Sequence, residues 1–375
     1  MTISAIHTRR FDWYDYRRYS FSLGLKTSAG TYLSGQTASK YDPATKRMVV
    51  RGGMTEQVRT VYSKVAAILE GGGLGYGDVA RIVEYVRPEG IERYVEAAAV
   101  RRELFGEHQP VINTVPVKAL LRPDALVEIE VTAAAARGAA PEAVFLPSIQ
   151  PTDEQGHILG AGDFVAQIQA VYDRAAHMLA AQGSSLDRVV KIATYITPAA
   201  VASHEHTVQI RHERLGPVFP TSVDIVMPQL LHPEVLVQCD FVASRETPVA
   251  INPGWAGYDE SACSPAVLAG KLLYISGQAL DTVTGRVLHE GDVVAQAERI
   301  YENVLQLVKA AGAAPSRLVK TIEYVTPASL TRYRDVAGVR SKLLKDPLPA
   351  STGLISEALM RPEMLINVDA LAVLD

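Results

Sequence analysis

Cysteine is almost missing from this chain: Cys239 and Cys263 are the two thiols in 375 residues. No Cys-x-x-Cys pair occurs, so a disulfide framework is excluded and nothing signals a structural zinc site. No apolar run approaches the ~18 residues that a membrane-spanning helix needs. The opening MTISAIHTRRFDWYDYRR holds no apolar stretch of the kind that directs secretion, so the expected compartment is the cytoplasm. An excess of positive charge is missing too. At a formal net charge of -4 the chain has no basic field for phosphate backbones or anionic lipid, and neither nucleic acid nor membrane is an expected partner. What the chain does have is apolar bulk: 48% hydrophobic residues over this length can fill two or three cores.

That bulk is repetitive, which bears on the whole fold. Three segments start with an apolar strand that runs into a small-residue turn: Tyr32-Leu33-Ser34-Gly35-Gln36, Leu146-Pro147-Ser148-Ile149-Gln150 and Tyr274-Ile275-Ser276-Gly277-Gln278. Each is followed by a segment keyed by a glutamine and a tyrosine, Gln57/Tyr62, Gln167/Tyr172 and Gln296/Tyr301. Val58, Val61, Tyr62, Val65, Ile68 and Leu69 fall at helical spacing, which predicts a helix with one face on a sheet. A second strand carries Ile82, Tyr85 and Val86, matched by Ile192, Tyr195 and Ile196 and by Ile322, Tyr324 and Val325. Pro88, Pro198 and Pro327 stop it, since proline has no N–H for the ladder. A second helix holds Arg101, Arg211 or Arg340. Nine residues later stands Pro110, Pro220 or Pro349, and thirteen beyond that Pro123, Pro233 or Pro362 opens the last strand, LVEIEV, LVQCDF or LINVDA.

The order hairpin, helix, strand, helix, strand therefore occurs three times, with expected boundaries at 1–137, 138–249 and 250–375. The second copy lacks the usual opening strand. One segment, 131–138 leading into 144–146, is expected to serve both the first and the second copy. The stretch 246–261, ETPVAINPGWAGYDES, reads as a surface connector to the third copy.

With Ser-Gly-Gln after the hairpin and a proline turn before a VEIEA-like strand, the chain resembles the Rid family, also called YjgF or L-PSP. The clearest stretches are YSFSLGLKTSAGTYLSGQ, CSPAVLAGKLLYISGQALDTVTGR and PASTGLISEALMRPEMLINVDALAV. The resemblance implies an α+β fold of three tandem YjgF-like, chorismate-mutase-like units. They would form an intramolecular pseudo-trimer around a central β-barrel-like core, with helices outside and ligand clefts between units. Further pairing of such assemblies into dimers or higher forms stays open.

The best-known members are enamine/imine deaminases, in which a Pro-Ala-Arg-Ser turn supplies an arginine for the substrate carboxylate and a glutamate on the last strand handles water and proton. Here the arginine slot holds Ile112, Ser222 and Ser351, none of which can clamp a carboxylate. The glutamate slot holds Glu128, Gln238 and Asn367, and only Glu128 can exchange a proton near neutrality. The ligand-facing tyrosine of the family matches Tyr19 and becomes Cys263 in the third copy. The first copy alone keeps Tyr19, Ser34 and Glu128 together.

The expectation is a cofactor-independent hydrolase or deaminase with Glu128 as acid/base, acting on a small, carboxylated nitrogenous metabolite such as an imine or enamine. Two other readings stay open: a chorismatase-like enzyme working on a cyclic enol-pyruvyl carboxylate, and a non-catalytic binder or scaffold. Tyr19, Arg18, Ser34, Ser276 and Asn367 are candidate substrate contacts. Cys263 is a candidate nucleophile, against the commoner fate of a buried thiol that packs as a small hydrophobe. Glu128 could equally be a strand-end carboxylate and the two serines mere turn residues. Arg101, Arg211 and Arg340 recur in all copies, which favours a shared salt bridge. His204 and His206 stand two apart and point to different sides of a helix, so no metal site is expected. The run FDWYDYRRYSF reads as an extra strand or a cap.

Overall fold

The computed structural model describes residues 3–258 and 261–374; Asp259 and Glu260 of the connector lie outside the described residues. Three long helices, Met54–Gly71, Phe164–Ala181 and Val293–Ala310, each lie on their own sheet. Each starts on a side-chain cap. Glu56 accepts from the Gly53 N–H at 2.8 Å, and Asp163 and Asp292 accept from first-turn amides of their helices, satisfying donors that no helical carbonyl can reach. The apolar stripe predicted from Val58 to Leu69 is wholly buried.

The repeated glutamine has a structural task. Gln57 donates to Asp124 O and accepts from Leu126 N at 2.8 Å, and Gln167 and Gln296 do the same with Glu234/Leu236 and Glu363/Leu365. In each unit one side chain thus pins the loop before the last strand to the long helix.

The sheets are mixed. In the first, Val127–Ala133 lies between Thr31–Leu33 and the central strand Val79–Val86, which pairs in parallel with Val111–Pro116. The second sheet repeats this with Val237–Ser244, Val189–Ile196 and Thr221–Val226, and the third with Ile366–Val373, Leu318–Val325 and Ala350–Ile355. Two short strands cross between sheets: Ala119–Leu120 extends the third sheet and Ala358–Leu359 the second. The last strand of the first unit ends at Ala133 and pairs only within its own sheet. A separate strand, Ala143–Phe145, opens the second, so the expected shared segment is replaced by two.

The sheets face one another through side chains. Val83, Tyr85, Ala193, Tyr195, Ile322 and Tyr324, drawn from all three central strands, form one cluster, with the Tyr195 and Tyr324 hydroxyls 3.1 Å apart. Beside it runs a ring of ion pairs. Arg81 meets Asp240 at 3.4 Å, Lys191 meets Asp369, and Lys320 meets Glu130 at 3.0 Å, so each cation pairs with the acid of another unit and the ring closes on itself. A β-bulge precedes each cation, between Val79 and Arg81, Val189 and Lys191, and Leu318 and Lys320. Such an extra residue twists a strand and re-aims the next side chain.

The expected central barrel is not there: among the described residues the three sheets stay open and no hydrogen-bonded ladder closes. At the centre the three central strands meet through tyrosines and paired charges rather than through a backbone ladder, and backbone bonds between sheets are confined to the seams, as from Ser22 N to Pro349 O.

Candidate functional site

Glu128 sits where the first unit meets the third. The turn Ser34-Gly35-Gln36 lies against Ala350–Ile355: Ser34 Oγ donates to Ser22 O at 2.6 Å and accepts from Ser351 N at 2.7 Å, and Gly35 N donates to Ser351 O and Thr352 Oγ1. The Glu128 carboxyl fills the space that a side chain at Gly35 would take. It is 7% exposed. Burial, then repulsion from Glu130, pushes its pKa up to about 8, against the pull of Lys320, Arg122 and Lys64. Glu130, two residues on, is different. Lys320 at 3.0 Å and the Thr352 hydroxyl at 2.7 Å overcome its burial and hold it below the usual carboxylate range.

Over this junction lies the aromatic run. It is a cap rather than a strand, with one short 3-10 turn at Tyr16–Arg18. Phe11 packs edge-on to Trp13, Tyr14 and Tyr16, and the Tyr14 hydroxyl donates to Gln36 Oε1 at 3.0 Å. Lys64 enters from the long helix. Its ammonium donates to Thr37 O and Ser39 O at 2.7 and 2.6 Å and lies 5.0–6.0 Å from the rings of Phe11, Trp13 and Tyr14. Burial, helped by the Arg122 charge, brings its pKa down to about 7. Tyr19 stands at the edge, 37% exposed and stacked on Phe21, its hydroxyl 3.4 Å from Arg122 Nη2. Arg18 is not brought in; it is exposed and pairs with Asp15.

The junction of the second and third units holds an open cleft of about 380 Å³ lined by Cys263, Asn367, Ser222, Arg211, Asp224 and His204 among others. Ser276 does not line it. Its hydroxyl donates to Ser222 O at 2.6 Å and is part of the seam between units. The Cys263 thiol donates to Ser261 Oγ at 3.3 Å, and burial raises its pKa, which works against a resting thiolate. Cys239 is core, pushed up to about 12 by burial. Between the first and second units Gln238 spans the junction, donating to Thr114 O at 2.8 Å and accepting from Gln150 at 3.1 Å.

The repeated arginines hold buried acids. Arg101 pairs with Glu84, which also accepts from Tyr62 and Tyr94, and Arg340 pairs with Glu323 at 2.7 Å alongside Tyr301 and Tyr333. The second unit departs from this pattern. Thr194 replaces the strand acid and His204 the second tyrosine, and Arg211 turns to Asp224 at 2.7 Å on the neighbouring strand, with His204 Nε2 at 3.1 Å from the same carboxyl. Among the described residues no group of three or more His, Cys, Asp or Glu could hold a metal ion, and no helix is long and apolar enough to cross a membrane.

Sequence reasoning missed Lys64, Arg122, Asp224 and the ion ring. The ring had a readable signal: Arg81, Lys191 and Lys320 each stand four residues before the repeated tyrosine of the central strand.

The chain is similar to several known proteins. A RutC family protein of Pyrococcus horikoshii is 31% identical over 113 residues, covering 30% of this chain and 85% of that protein. The 2-iminobutanoate/2-iminopropanoate deaminase of Mus musculus is 29% identical over 133 residues, 35% of this chain and 89% of that one. A chorismatase crystal structure superposes with a TM-score of 0.52 at 13% identity, over 79% of this chain and 93% of its own, a likeness of fold. The family model described as endoribonuclease L-PSP matches residues 16–135 and 259–374, leaving the middle unit outside the match. Matched over more than half its length, the chain belongs to the endoribonuclease L-PSP family, the Rid or YjgF family that its repeated turns and last strands resemble.

Proposed function

We propose that this chain is an enzyme of hydrolytic or deaminating type whose chemistry is carried by Glu128, and that units 1–137, 138–249 and 250–375 are arranged as a trimer within one chain. The observation that carries the reading is the placement of the Glu128 carboxyl, 7% exposed and filling the space beside Gly35 at the junction of two units, where burial pushes its pKa up to about 8 against the pull of Lys320, Arg122 and Lys64. A carboxyl that is protonated at neutral pH can give a proton, and its conjugate base can take one back. The closed ring of ion pairs between units supports the trimer-like arrangement.

The substrate class is a small imine or enamine that bears a carboxylate. The mouse relative named as a 2-iminobutanoate/2-iminopropanoate deaminase supports this class. In the step proposed, Glu128 protonates the imine nitrogen as water adds to the carbon, and the carboxylate then accepts the proton that the water loses. The resulting carbinolamine breaks its C–N bond to release ammonia and the carbonyl product, with Glu128 again moving the proton from oxygen to nitrogen. The turn facing Glu128 offers Ser351 in place of arginine, so the positive charge for the substrate carboxylate comes from Arg122 at the Tyr19 edge. The aromatic cap, tied to Gln36 through the Tyr14 hydroxyl, covers this junction, so the reading requires it to move aside for substrate.

Assay of Glu128→Gln against a panel of imines and enamines tests the reading: turnover should fall by at least about a hundredfold, the size expected for loss of a general acid/base. Wild-type turnover of a cyclic enol-pyruvyl ether, with pyruvate released, would instead favour the chorismatase-like reading, to which the fold likeness and the cations near Glu128 lend support. Ligand-induced thermal shifts without turnover of any panel member would favour a binder.

A further inference from the structure

Two of the three junctions are sealed by an opening strand, and the third is not. In the first unit Gly24–Lys26 lies along Thr31–Leu33, with Leu25 opposite Tyr32, and in the third Ala266–Ala269 lies along Leu272–Gly277, with Val267 opposite Tyr274. Each opening segment also reaches a neighbouring unit: Ser22 N donates to Pro349 O at 3.1 Å and Ser264 N to Pro220 O at 3.0 Å. The second unit has no such strand. Phe145, opposite Val242, holds the place that Tyr32 has opposite Thr132 and Tyr274 opposite Leu371, and Ala143–Phe145 is the edge of its sheet.

What this leaves open can be read on both sides of the gap. Leu146 N turns inward to Phe241 O, so by the alternation of an antiparallel ladder the Phe145 N–H and C=O face out of the sheet. Among the described residues no strand pairs with that outer side. Across the gap, Val111–Pro116 is the edge of the first sheet. Pro110, Val111 and Ile112 are half-buried, whereas the matching Pro220, Thr221 and Ser222, and Pro349 and Ala350, are buried where an opening segment reaches them. Towards the interior, Leu25 and Val267 are fully buried in one apolar cluster with Tyr32 and Tyr274. Phe145 has no such cross-strand partner, and Ala143 and Phe145 instead line a cavity of about 60 Å³ shared with Tyr32, Tyr274 and Arg81.

We propose that this vacant strand position is a docking site for an extended peptide segment of a partner protein, added between the edges Ala143–Phe145 and Pro110–Ile112. The two filled positions state its chemistry. Ser22 precedes Leu25 by three residues, and Ser264 precedes Val267 by three. The partner segment therefore carries a small residue, whose N–H meets Pro110 O, and an aliphatic residue three places on. That second residue pairs its backbone with Phe145 and sends its side chain into the cavity. The site is built from backbone edges and involves neither Glu128 nor Cys263.

The probe is a fluorescein-labelled peptide with the sequence of residues 20–28, SFSLGLKTS, titrated into the full chain and read by anisotropy. Saturable binding is expected. N-methylation of the Leu25 amide in the peptide removes the donor to Phe145 O and should weaken binding about tenfold. Hydrogen exchange locates the contact. Without peptide, the amides of 143–145 should exchange faster than those of 30–32 and 272–274, and peptide should slow exchange at 110–114 and 143–147 and nowhere else. Absence of binding, binding indifferent to N-methylation, or protection elsewhere would overturn the proposal. So would a free chain that is already protected at both segments and runs as a dimer, since the edge would then belong to a second copy.

Discussion

A Cβ placed on Gly35 would stand 2.2 Å from Glu128 Oε1, well inside any allowed contact. The glycine is not in the left-handed region of backbone space, so its role is to leave room. The nearest obstacle is the end of the Glu128 side chain, which can rotate aside, but Thr352 is buried and its hydroxyl is held by Gly35 N, Lys320 and Glu130. Gly35→Ala should therefore lower the thermal midpoint as well as move the carboxyl and lower kcat, with the loss of kcat persisting well below the midpoint. Equal kcat would mean that the position of Glu128 does not matter to turnover.

Glu128 also makes a prediction about stability. Its native pKa, about 8, lies above that of an unfolded carboxyl, so between those limits the native state holds a proton that the unfolded chain has lost. The contribution of the group to stability is fully present below the unfolded value and declines as pH rises through about 8. Glu128→Gln, which cannot ionise, should gain stability relative to wild type between pH 5 and pH 8. Urea midpoints at the two pH values measure this, and a gap that does not widen with pH would contradict the raised pKa.

The ion ring should matter more than surface pairs do. Lys191 and Asp369 are both largely buried, so Asp369→Asn leaves a buried ammonium without its partner and should cost about 3–5 kcal/mol. Arg10 and Glu70 form an exposed pair, and Arg10→Ala should cost about 1 kcal/mol or less. Chemical denaturation of the two variants gives the comparison directly.

Much of this was legible in the sequence because it is local. The glutamine keys, the prolines at fixed spacing and the apolar stripe of Met54–Gly71 follow from backbone chemistry and helical period, and they fall where expected. The repeated arginines were readable as shared salt bridges for the same reason, and Arg101 and Arg340 form the same pair with a strand glutamate. The interior was not readable. Arg81, Lys191 and Lys320 in mid-strand would ordinarily mark a solvent face, and only the meeting of three sheets gives each an acid from another unit. The barrel expectation failed on that interior. Gln238 and Asn367 were both readable as non-ionisable, but that Gln238 reaches Thr114 O while Asn367 Oδ1 has no partner depends on contacts between units.

The central claim is that Glu128 moves the proton. Its most direct test is the pH profile of kcat/KM for an imine substrate, compared between wild type and Glu128→Gln. Wild-type activity should fall on the basic side with an apparent pKa near 8 as the carboxyl loses its proton. The variant should show low activity with that limb removed. A variant that keeps wild-type turnover and the same basic limb would contradict the assignment of Glu128 as the acid.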